Sequence, residues 1–250
     1  MPSIARLLVV LAACGAPRSE PPPGAEHVMM PAGDAATATA ARLAQTSSRD
    51  AGVLGAATDA ATRPPPAGWV DLAVAIPDAV IDLRYATAHN VTGVVLYPVA
   101  RCWLRAGPAA RLVEAAASLR AAGHRLVLWD CYRPASIQRA LWQRMPDPRF
   151  VARPGDDGDG APVAGSVHSR GAAVDVSLAD QAGTLRAMPT DHDDFGAAAS
   201  GGTATGDARA WNATLRAVMI SAGFRPLASE WWHFDAGGGT VYPLVDLPLE

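Results

Sequence analysis

The spacing of hydrophobic residues predicts a long helix near the middle of the chain, over residues 109–122. Leu112, Ala116 and Leu119 recur at intervals of four and three, which places them on one face of a helix. Gly123 follows this segment, and a glycine in that place typically ends a helix in the left-handed conformation. The pattern therefore predicts a helix with one buried face and a defined end.

Helices and strands continue to alternate after this segment. The apolar run over residues 126–129 predicts a strand over residues 125–129, and Pro134 favours the start of another helix, which continues through Leu141. Near the carboxyl end, residues 207–222 are predicted to form a helix that ends at Gly223. The buried face of this last helix is predicted to consist of Trp211, Leu215 and Val218.

Between these helices the sequence predicts a loop followed by a strand. Residues 153–164 are rich in Gly, Asp and Pro, a composition that favours a loop. In residues 173–178, every second side chain from Val174 to Leu178 is apolar, which is typical of a strand with one face on a core. Asp175 is then predicted to project from the opposite face of that strand.

The amino-terminal residues have the pattern of an export signal. Arg6 precedes an apolar run over residues 7–13, which ends at Cys14. The run is too short to span a bilayer as a helix, which needs about 20 apolar residues. We interpret residues 1–14 as a signal peptide, and residues 11–14 resemble the bacterial lipobox, in which the cysteine is lipidated. Lipidation would attach the chain to a membrane in the bacterial cell envelope and place it in the periplasm. An ordinary secretory signal and a frayed terminus are the alternatives.

Residues 15–68 are predicted to form a disordered tether. They are rich in Ala, Pro, Ser and Thr, lack a sustained helical or strand period, and are bracketed by proline triplets at residues 21–23 and 64–66. Little apolar area is available there to offset the entropy cost of ordering. The folded domain is therefore predicted over residues 69–250.

Composition and charge narrow the function classes. Half of the 250 residues are hydrophobic, which is enough to fill the core of a domain. The 21 Lys and Arg and 24 Asp and Glu give a net charge of -3, so no basic field is available to hold nucleic acid. No protein partner is implied either. Cys102 and Cys131 are the two cysteines of the predicted folded domain, and both one disulfide and two buried thiols are consistent with the sequence.

The first candidate site residues are His168 and Asp175, on either side of the predicted turn at Gly171. A neutral imidazole nitrogen and a carboxylate oxygen both suit Zn²⁺. The same spacing also occurs between unrelated surface groups, so by itself it identifies a pair of candidate ligands and nothing further.

A second group follows the last predicted helix, where Glu230 and His233 flank two tryptophans. As a third ligand, His233 would leave the fourth tetrahedral position open, as a catalytic zinc site requires. Glu230 would then serve as the general base, because a carboxylate walled by indole rings has a pKa shifted toward working pH. Residues three apart on a regular strand point to opposite faces, so Glu230 must lie before the strand or at a bulge. The alternative is an aromatic core strand with an exposed Glu230 and a satisfied His233.

These motifs together resemble those of the zinc D-alanyl-D-alanine dipeptidases of the VanX type. The pattern Ser-x-His-x-x-Gly-x-Ala-x-Asp from Ser166, followed by Glu-Trp-Trp-His from Glu230, is similar to the zinc signature of that family. Residues 82–87 resemble its amino-terminal block, and residues 129–134 resemble its Asp-x-Tyr-Arg-Pro motif. The order and spacing of these blocks agree from about residue 70 to the end of the chain.

The resemblance implies a role for each matching residue. His168, Asp175 and His233 would bind one Zn²⁺ per chain. Glu230 would be the catalytic base, and Arg133 would be the second catalytic residue, which stabilises the negative charge on the carbonyl oxygen of the substrate. A small D-amino-acid dipeptide is the implied substrate.

Substrate-binding residues are also implied, and here the chain departs from the family pattern. Tyr85 and Ser166 would line the cavity, and Asp193 is the best candidate to bind the free amino group. His192 stands where the family has an aromatic residue, and Pro189 replaces a glycine. The substrate is therefore less well defined than the zinc chemistry.

Two local alternatives accompany these assignments. Arg133 can instead form a structural ion pair with Asp130. The acidic run at residues 191–194 contains a further histidine and can be read as a second metal site, but we interpret it as a solvated loop.

The fold implied is α+β, a single compact domain with a mainly antiparallel sheet that carries the zinc site, flanked by helices, after the disordered tether. The implied function is zinc-dependent hydrolysis of the D-alanyl-D-alanine dipeptide. The alternatives are a zinc D,D-carboxypeptidase or murein-peptide hydrolase that acts on peptidoglycan stems, and a non-catalytic relative that binds the cell wall.

Overall fold

The computed structural model describes residues 64–250. The predicted signal peptide over residues 1–14, its Cys14, and most of the predicted tether over residues 15–68 lie outside the described residues. Within residues 64–250, no helix has the length and apolar character needed to cross a membrane.

The described residues form nine β-strands, four α-helices and three short 3-10 helices. In chain order the strands and α-helices are β1 (Trp69–Asp71), α1 (Leu72–Ala75), β2 (Val80–Ile81), β3 (Trp103–Arg105), α2 (Ala106–Ala121), β4 (His124–Asp130), α3 (Ala135–Arg144), β5 (Gly155–Asp156), β6 (Pro162–Ala164), β7 (Ala173–Asp180), α4 (Gly206–Ser221), β8 (Phe224–Leu227) and β9 (Glu230–Ala236). The 3-10 helices are Arg84–Ala86, Val167–Arg170 and Gly239–Val241.

A five-stranded sheet with the order β2-β4-β7-β9-β8 lies at the centre of this α+β fold. The pairing of β2 with β4 is parallel, and the other three pairings are antiparallel, so the sheet is mixed. Two smaller sheets pair β1 with β3 and β5 with β6. The β5–β6 pair lies inside residues 153–164, so the loop predicted there contains two short strands. Two short stretches of that segment pair with each other across an intervening turn.

The predicted helices and strands are found, with ends that move by a few residues. Helix α2 begins at Ala106, three residues before the predicted start, and Arg105, the residue that precedes it, is extended. Gly123 and Gly223 follow α2 and α4 with φ of +81° and +86°, as predicted for glycines that end helices. Pro134 is the residue that precedes α3, where its missing N–H costs no helical hydrogen bond.

Strand β7 is buried on both faces. Val174, Val176 and Leu178 belong to the main hydrophobic core, as predicted from their alternation. The opposite face is also enclosed, since Asp175 is 2% exposed and Ser177 is 1% exposed. Because β7 lies between β4 and β9 in the middle of the sheet, Asp175 is held in a low-dielectric environment, where a charged carboxylate needs polar partners.

The structure contains a disulfide between Cys102 and Cys131. This bond joins the residue before β3 to the residue after β4, and both cysteines are buried. It therefore ties the small β1–β3 sheet to the end of β4, directly beside the segment that carries Arg133.

Candidate active site

Three potential metal ligands meet where β7, β9 and a 3-10 helix come together. His168 lies on the 3-10 helix Val167–Arg170, and Asp175 is directly opposite His233 in the register of β7 and β9. Oδ1 of Asp175 is 3.0 Å from Nδ1 of His233 and 3.4 Å from Nε2 of His168, and the two nitrogens are 3.1 Å apart. These atoms all lie within 4.8 Å of one another, so the three side chains form a candidate metal centre.

The outward nitrogen of each histidine ring has an oxygen partner. Nδ1 of His168 donates to the backbone carbonyl of Cys131 at 2.7 Å. Nε2 of His233 donates to Oδ1 of Asp235 at 3.0 Å. Such hydrogen bonds fix the tautomer and orientation of metal-binding imidazoles, because the nitrogen that carries the proton is the one that points away from the metal. Both inward nitrogens can therefore accept a cation.

A tight turn places His168 next to this pair of strands. Gly171 has φ of +68°, a conformation that L side chains rarely adopt. A Cβ at this position would lie 2.3 Å from a ring carbon of Trp69, so the turn and the packing both require glycine. Gly171 thus links the 3-10 helix that carries His168 to β7, which carries Asp175.

The ionisation of the cluster favours a bound cation. Burial lowers the pKa of His233, but its hydrogen bonds to Asp175 and Asp235 outweigh burial and raise this pKa to about 10. Burial raises the pKa of Asp175, but the charge of His168 and the hydrogen bonds from the surrounding histidines hold it well below its usual range. With its pKa at about 10, His233 would have to lose a proton when it binds a metal ion.

Glu230 is the first residue of β9 and points into the same cavity. The β8–β9 register shifts after Pro226, so that Leu227 lies opposite Glu230. An irregularity of this kind was predicted as necessary to place Glu230 and His233 in one site. Glu230 is buried, and burial raises its pKa to about 7. The alternative of an exposed glutamate on an aromatic strand is wrong.

Arg133 lines the cavity and is also fixed by an ion pair. Its Nε and Nη2 donate to Oδ2 of Asp130 at 3.0 and 2.5 Å, and its Nη1 donates to Oε1 of Gln138 at 2.9 Å. Asp130 in turn accepts hydrogen bonds from the hydroxyl of Tyr97 and, at 2.9 Å, from the backbone N–H of Cys131. The ion pair with Asp130 is therefore present, and it holds the guanidinium at the wall of the cavity.

Tyr85, Ser166 and Asp193, the three predicted substrate-binding residues, also line this cavity. The hydroxyl of Tyr85 donates to Oδ2 of Asp193 at 2.6 Å, and both side chains are buried. Asp193 has φ of +56°, the one non-glycine residue with positive φ among those described, and burial raises its pKa. The cavity has a volume of about 330 Å³.

All eight predicted site residues of the folded part therefore line one cavity. The eight residues are Tyr85, Arg133, Ser166, His168, Asp175, Asp193, Glu230 and His233. The ninth predicted site residue, Cys14, lies outside the described residues.

The acidic run at residues 191–194 differs from its prediction as a solvated loop. His192 and Asp193 are each only 7% exposed, whereas Asp194 is exposed. Asp191 forms an ion pair with Arg84 at 3.0 Å, which fixes this segment against the 3-10 helix Arg84–Ala86. Nε2 of His192 donates to Oδ2 of Asp175 at 3.1 Å, a contact that was not predicted from the sequence. The histidine within this acidic run is the sequence signal that could have revealed it.

Known proteins with related sequences share most of their length with this chain. The peptidase M15 family model, described as D-Ala-D-Ala dipeptidase, matches residues 66–246. The D-alanyl-D-alanine dipeptidase of Escherichia coli is 36% identical over 178 residues, which cover 70% of this chain and 88% of that protein. The protein of the same name from Enterococcus faecalis is 33% identical over 183 residues, with 67% and 86% covered. That of Streptomyces coelicolor is 36% identical over 172 residues, with 61% and 83% covered.

Proposed function

The chain belongs to the peptidase M15 family of D-Ala-D-Ala dipeptidases and is a hydrolase of the metallopeptidase type, and from this premise we propose that it hydrolyses the D-alanyl-D-alanine dipeptide with one bound Zn²⁺. The observation that carries the proposal is the convergence of three candidate metal ligands, a buried glutamate and a buried aspartate on one cavity of about 330 Å³. A cavity of this volume suits a small peptide, at the lower end of the usual range for ligand pockets.

Zinc fits the donor set of His168, Asp175 and His233. Two imidazole nitrogens and one carboxylate oxygen are a typical set for a catalytic zinc site, and the outward ring nitrogens are already hydrogen-bonded. When bound, zinc would supply Lewis-acid polarisation of the scissile carbonyl and of the attacking water.

Glu230 is proposed to move the protons of the reaction. It would take a proton from the attacking water, whose oxygen adds to the carbonyl carbon. It would then donate that proton to the amine as the C–N bond breaks, which releases two molecules of D-alanine. A group that acts first as base and then as acid works best with a pKa near working pH, and burial raises that of Glu230 to about 7.

Asp193 and Tyr85 are proposed to bind the free amino group of the dipeptide. The hydrogen bond from Tyr85 fixes one oxygen of the Asp193 carboxyl, so that its other oxygen can face the substrate. Because burial disfavours a lone negative charge on Asp193, pairing with the substrate ammonium is favourable. Ser166 lines the same cavity, and its hydroxyl can donate a hydrogen bond to the substrate.

Arg133 is proposed to stabilise the negative charge that develops on the carbonyl oxygen. Its ion pair with Asp130 supports this role, because a guanidinium that is already fixed needs no reorganisation during the reaction. Removal of one such donor typically costs about 2.7–4 kcal/mol of transition-state stabilisation.

We also propose that the protein works outside the cytosol as an envelope lipoprotein, with residues 1–14 as signal peptide and Cys14 as the lipidated residue. The Cys102–Cys131 disulfide supports this proposal, because such bonds form and persist in oxidising compartments. Radiolabelled palmitate incorporation into the wild-type chain, and its loss in Cys14→Ser, would test it. Incorporation that survives in Cys14→Ser would contradict it.

Release of D-alanine by the zinc-loaded full chain tests the proposed activity. The substrates are D-Ala-D-Ala and a pentapeptide that ends in D-Ala-D-Ala, offered separately, with His233→Ala as the variant that lacks one metal ligand. We expect turnover of the dipeptide by the wild type and little or none by the variant. Turnover of the pentapeptide in preference to the dipeptide would instead indicate a carboxypeptidase, and no turnover of either would contradict the proposal.

A further inference from the structure

We propose that His192 is a positioning residue of the metal centre, which holds one oxygen of Asp175 so that the other oxygen faces the metal. The inference deepens the proposed function and rests on it, because it concerns zinc bound by Asp175. His192 is not one of the three candidate ligands, and it has no role in the proposed reaction.

The two oxygens of the Asp175 carboxyl have different partners. Oδ2 accepts a hydrogen bond from Nε2 of His192 at 3.1 Å. Oδ1 faces the other two ligands, at 3.0 Å from Nδ1 of His233 and 3.4 Å from Nε2 of His168. His192 thus leaves Oδ1 as the oxygen directed to the metal, and it keeps the carboxyl from turning to offer both oxygens at once.

The imidazole of His192 is itself fixed by aromatic packing. Its ring centroid lies 5.4 Å from that of Trp129, 5.8 Å from that of Trp232 and 5.9 Å from that of Tyr85. Its side chain is only 1% exposed. A ring confined in this way keeps its Nε2–H directed at Asp175, which is what a positioning hydrogen bond requires.

The backbone around His192 is anchored from a distant part of the chain. Its N–H donates to Oδ1 of Asp191 at 2.8 Å, and Asp191 is paired with the buried Arg84. The guanidinium of Arg84 also lies over the ring of Trp129, 5.0 Å from its centroid. The same cation therefore holds both the loop of His192 and one wall of its pocket.

His192 also reaches the substrate side of the cavity. Its Nδ1 is buried without a hydrogen-bond partner and lies 3.5 Å from Oδ2 of Asp193, the oxygen that accepts from Tyr85. The ring is therefore placed between the carboxylate proposed to bind zinc and the carboxylate proposed to bind the substrate ammonium. A change at His192 should for this reason affect both zinc affinity and KM, whereas a side chain that only fills space would affect neither once its volume is replaced.

His192→Phe and His192→Gln separate a hydrogen-bonding role from a packing role. Phenylalanine keeps an aromatic ring between the tryptophans and removes the donor, whereas glutamine keeps an N–H donor near the position of Nε2. His124→Phe is the matched control. His124 is also buried and also has an unpartnered Nδ1, and its ring centroid lies 5.0 Å from that of Trp211. It does not line the cavity.

The measurement is the zinc Kd of each full chain by competition with a chromogenic chelator, followed by kcat and KM for D-Ala-D-Ala. We expect His192→Phe to weaken zinc binding by about 10–100-fold, the usual effect of losing a hydrogen bond to a metal ligand. KM should rise as well, His192→Gln should recover most of the zinc affinity, and His124→Phe should bind zinc as the wild type does. Equal zinc affinity in His192→Phe and the wild type would overturn the proposal, as would a His192→Gln variant as weak as His192→Phe.

A second measurement does not depend on the folding of any variant. Long-range ¹H–¹⁵N NMR of the zinc-loaded wild type reports which ring nitrogen of His192 carries a proton. A proton on Nε2 supports the proposal, and an Nε2 without one overturns it. If the wild type itself binds no zinc, the proposed function fails together with this inference. If the wild type binds zinc and hydrolyses the dipeptide while His192→Phe binds zinc equally well, the inference fails alone.

Discussion

Replacing Glu230 by glutamine should abolish most turnover and, at the same time, make the metal-free protein more stable near neutral pH. Glutamine has nearly the shape of glutamate but cannot accept or return a proton, so the loss of general acid and base catalysis should lower kcat by about 10²–10⁴-fold. The gain in stability follows from the burial that raises the pKa of Glu230.

The magnitude of this gain follows from the two pKa values of Glu230. Its pKa is raised from 4.5 to about 7, and each pH unit of difference is worth about 1.4 kcal/mol. Because the folded pKa lies above the unfolded value, the protonated carboxyl stabilises the fold below pH 4.5, and this stability is lost as the pH rises through 7. Glutamine stays neutral, so the variant should exceed the wild type by an amount that grows by about 3 kcal/mol between pH 4 and pH 8.

The assay is urea unfolding of both chains with a metal chelator present, at several pH values between 4 and 8. The difference between the two free energies of unfolding isolates Glu230, because all other titrating groups are common to both chains. Glu114, an exposed glutamate on α2, provides the matched control as Glu114→Gln. A difference between Glu230→Gln and the wild type that stays constant across this pH range would refute the reasoning.

Three further predictions concern metal, substrate and disulfide. The pKa of His233 is raised to about 10, so zinc must displace a proton at any lower pH. The zinc Kd should therefore be about tenfold higher at pH 7 than at pH 8. Chelator competition at the two pH values measures this, and a constant Kd would contradict it. Asp193→Asn should raise KM for the dipeptide by about tenfold or more with a smaller change in kcat, because the carboxylate is proposed to pair with the substrate ammonium. Steady-state kinetics measures both constants, and a fall in kcat with an unchanged KM would contradict this role. The double variant Cys102→Ala/Cys131→Ala should bind zinc more weakly than the wild type, because the disulfide fixes Cys131, whose carbonyl orients His168. Equal zinc Kd values would show that the disulfide does not support the site.

The long elements and the candidate metal ligands could be predicted from the sequence because their signals are local. The periodicity of α2 and α4 reflects one buried helical face, and Gly123 and Gly223 supply the positive φ that ends each helix. The ligands lie in short motifs, where a 3-10 helix, a glycine turn and a strand follow one another directly.

The features that were missed depend on contacts between distant parts of the chain. His192 is buried next to Asp191, which pairs with Arg84, 107 positions earlier in the chain. The parallel strand β2 has only two residues, Val80–Ile81, too few for any period to show. The hydrogen bond of His168 goes to a backbone carbonyl, and a carbonyl has no sequence signature. Tertiary packing decides each of these features.

Cys131 takes part in both disulfide formation and the support of the candidate metal site. The sulfur of Cys131 is bonded to Cys102, while its carbonyl accepts the hydrogen bond from His168. Linkage is reciprocal, so whatever factor the disulfide contributes to zinc affinity is also the factor by which zinc protects the disulfide from reduction. The redox state of the disulfide and the zinc occupancy of the site would then be linked. A zinc-bound chain would be harder to reduce, and a reduced chain would release its zinc more readily.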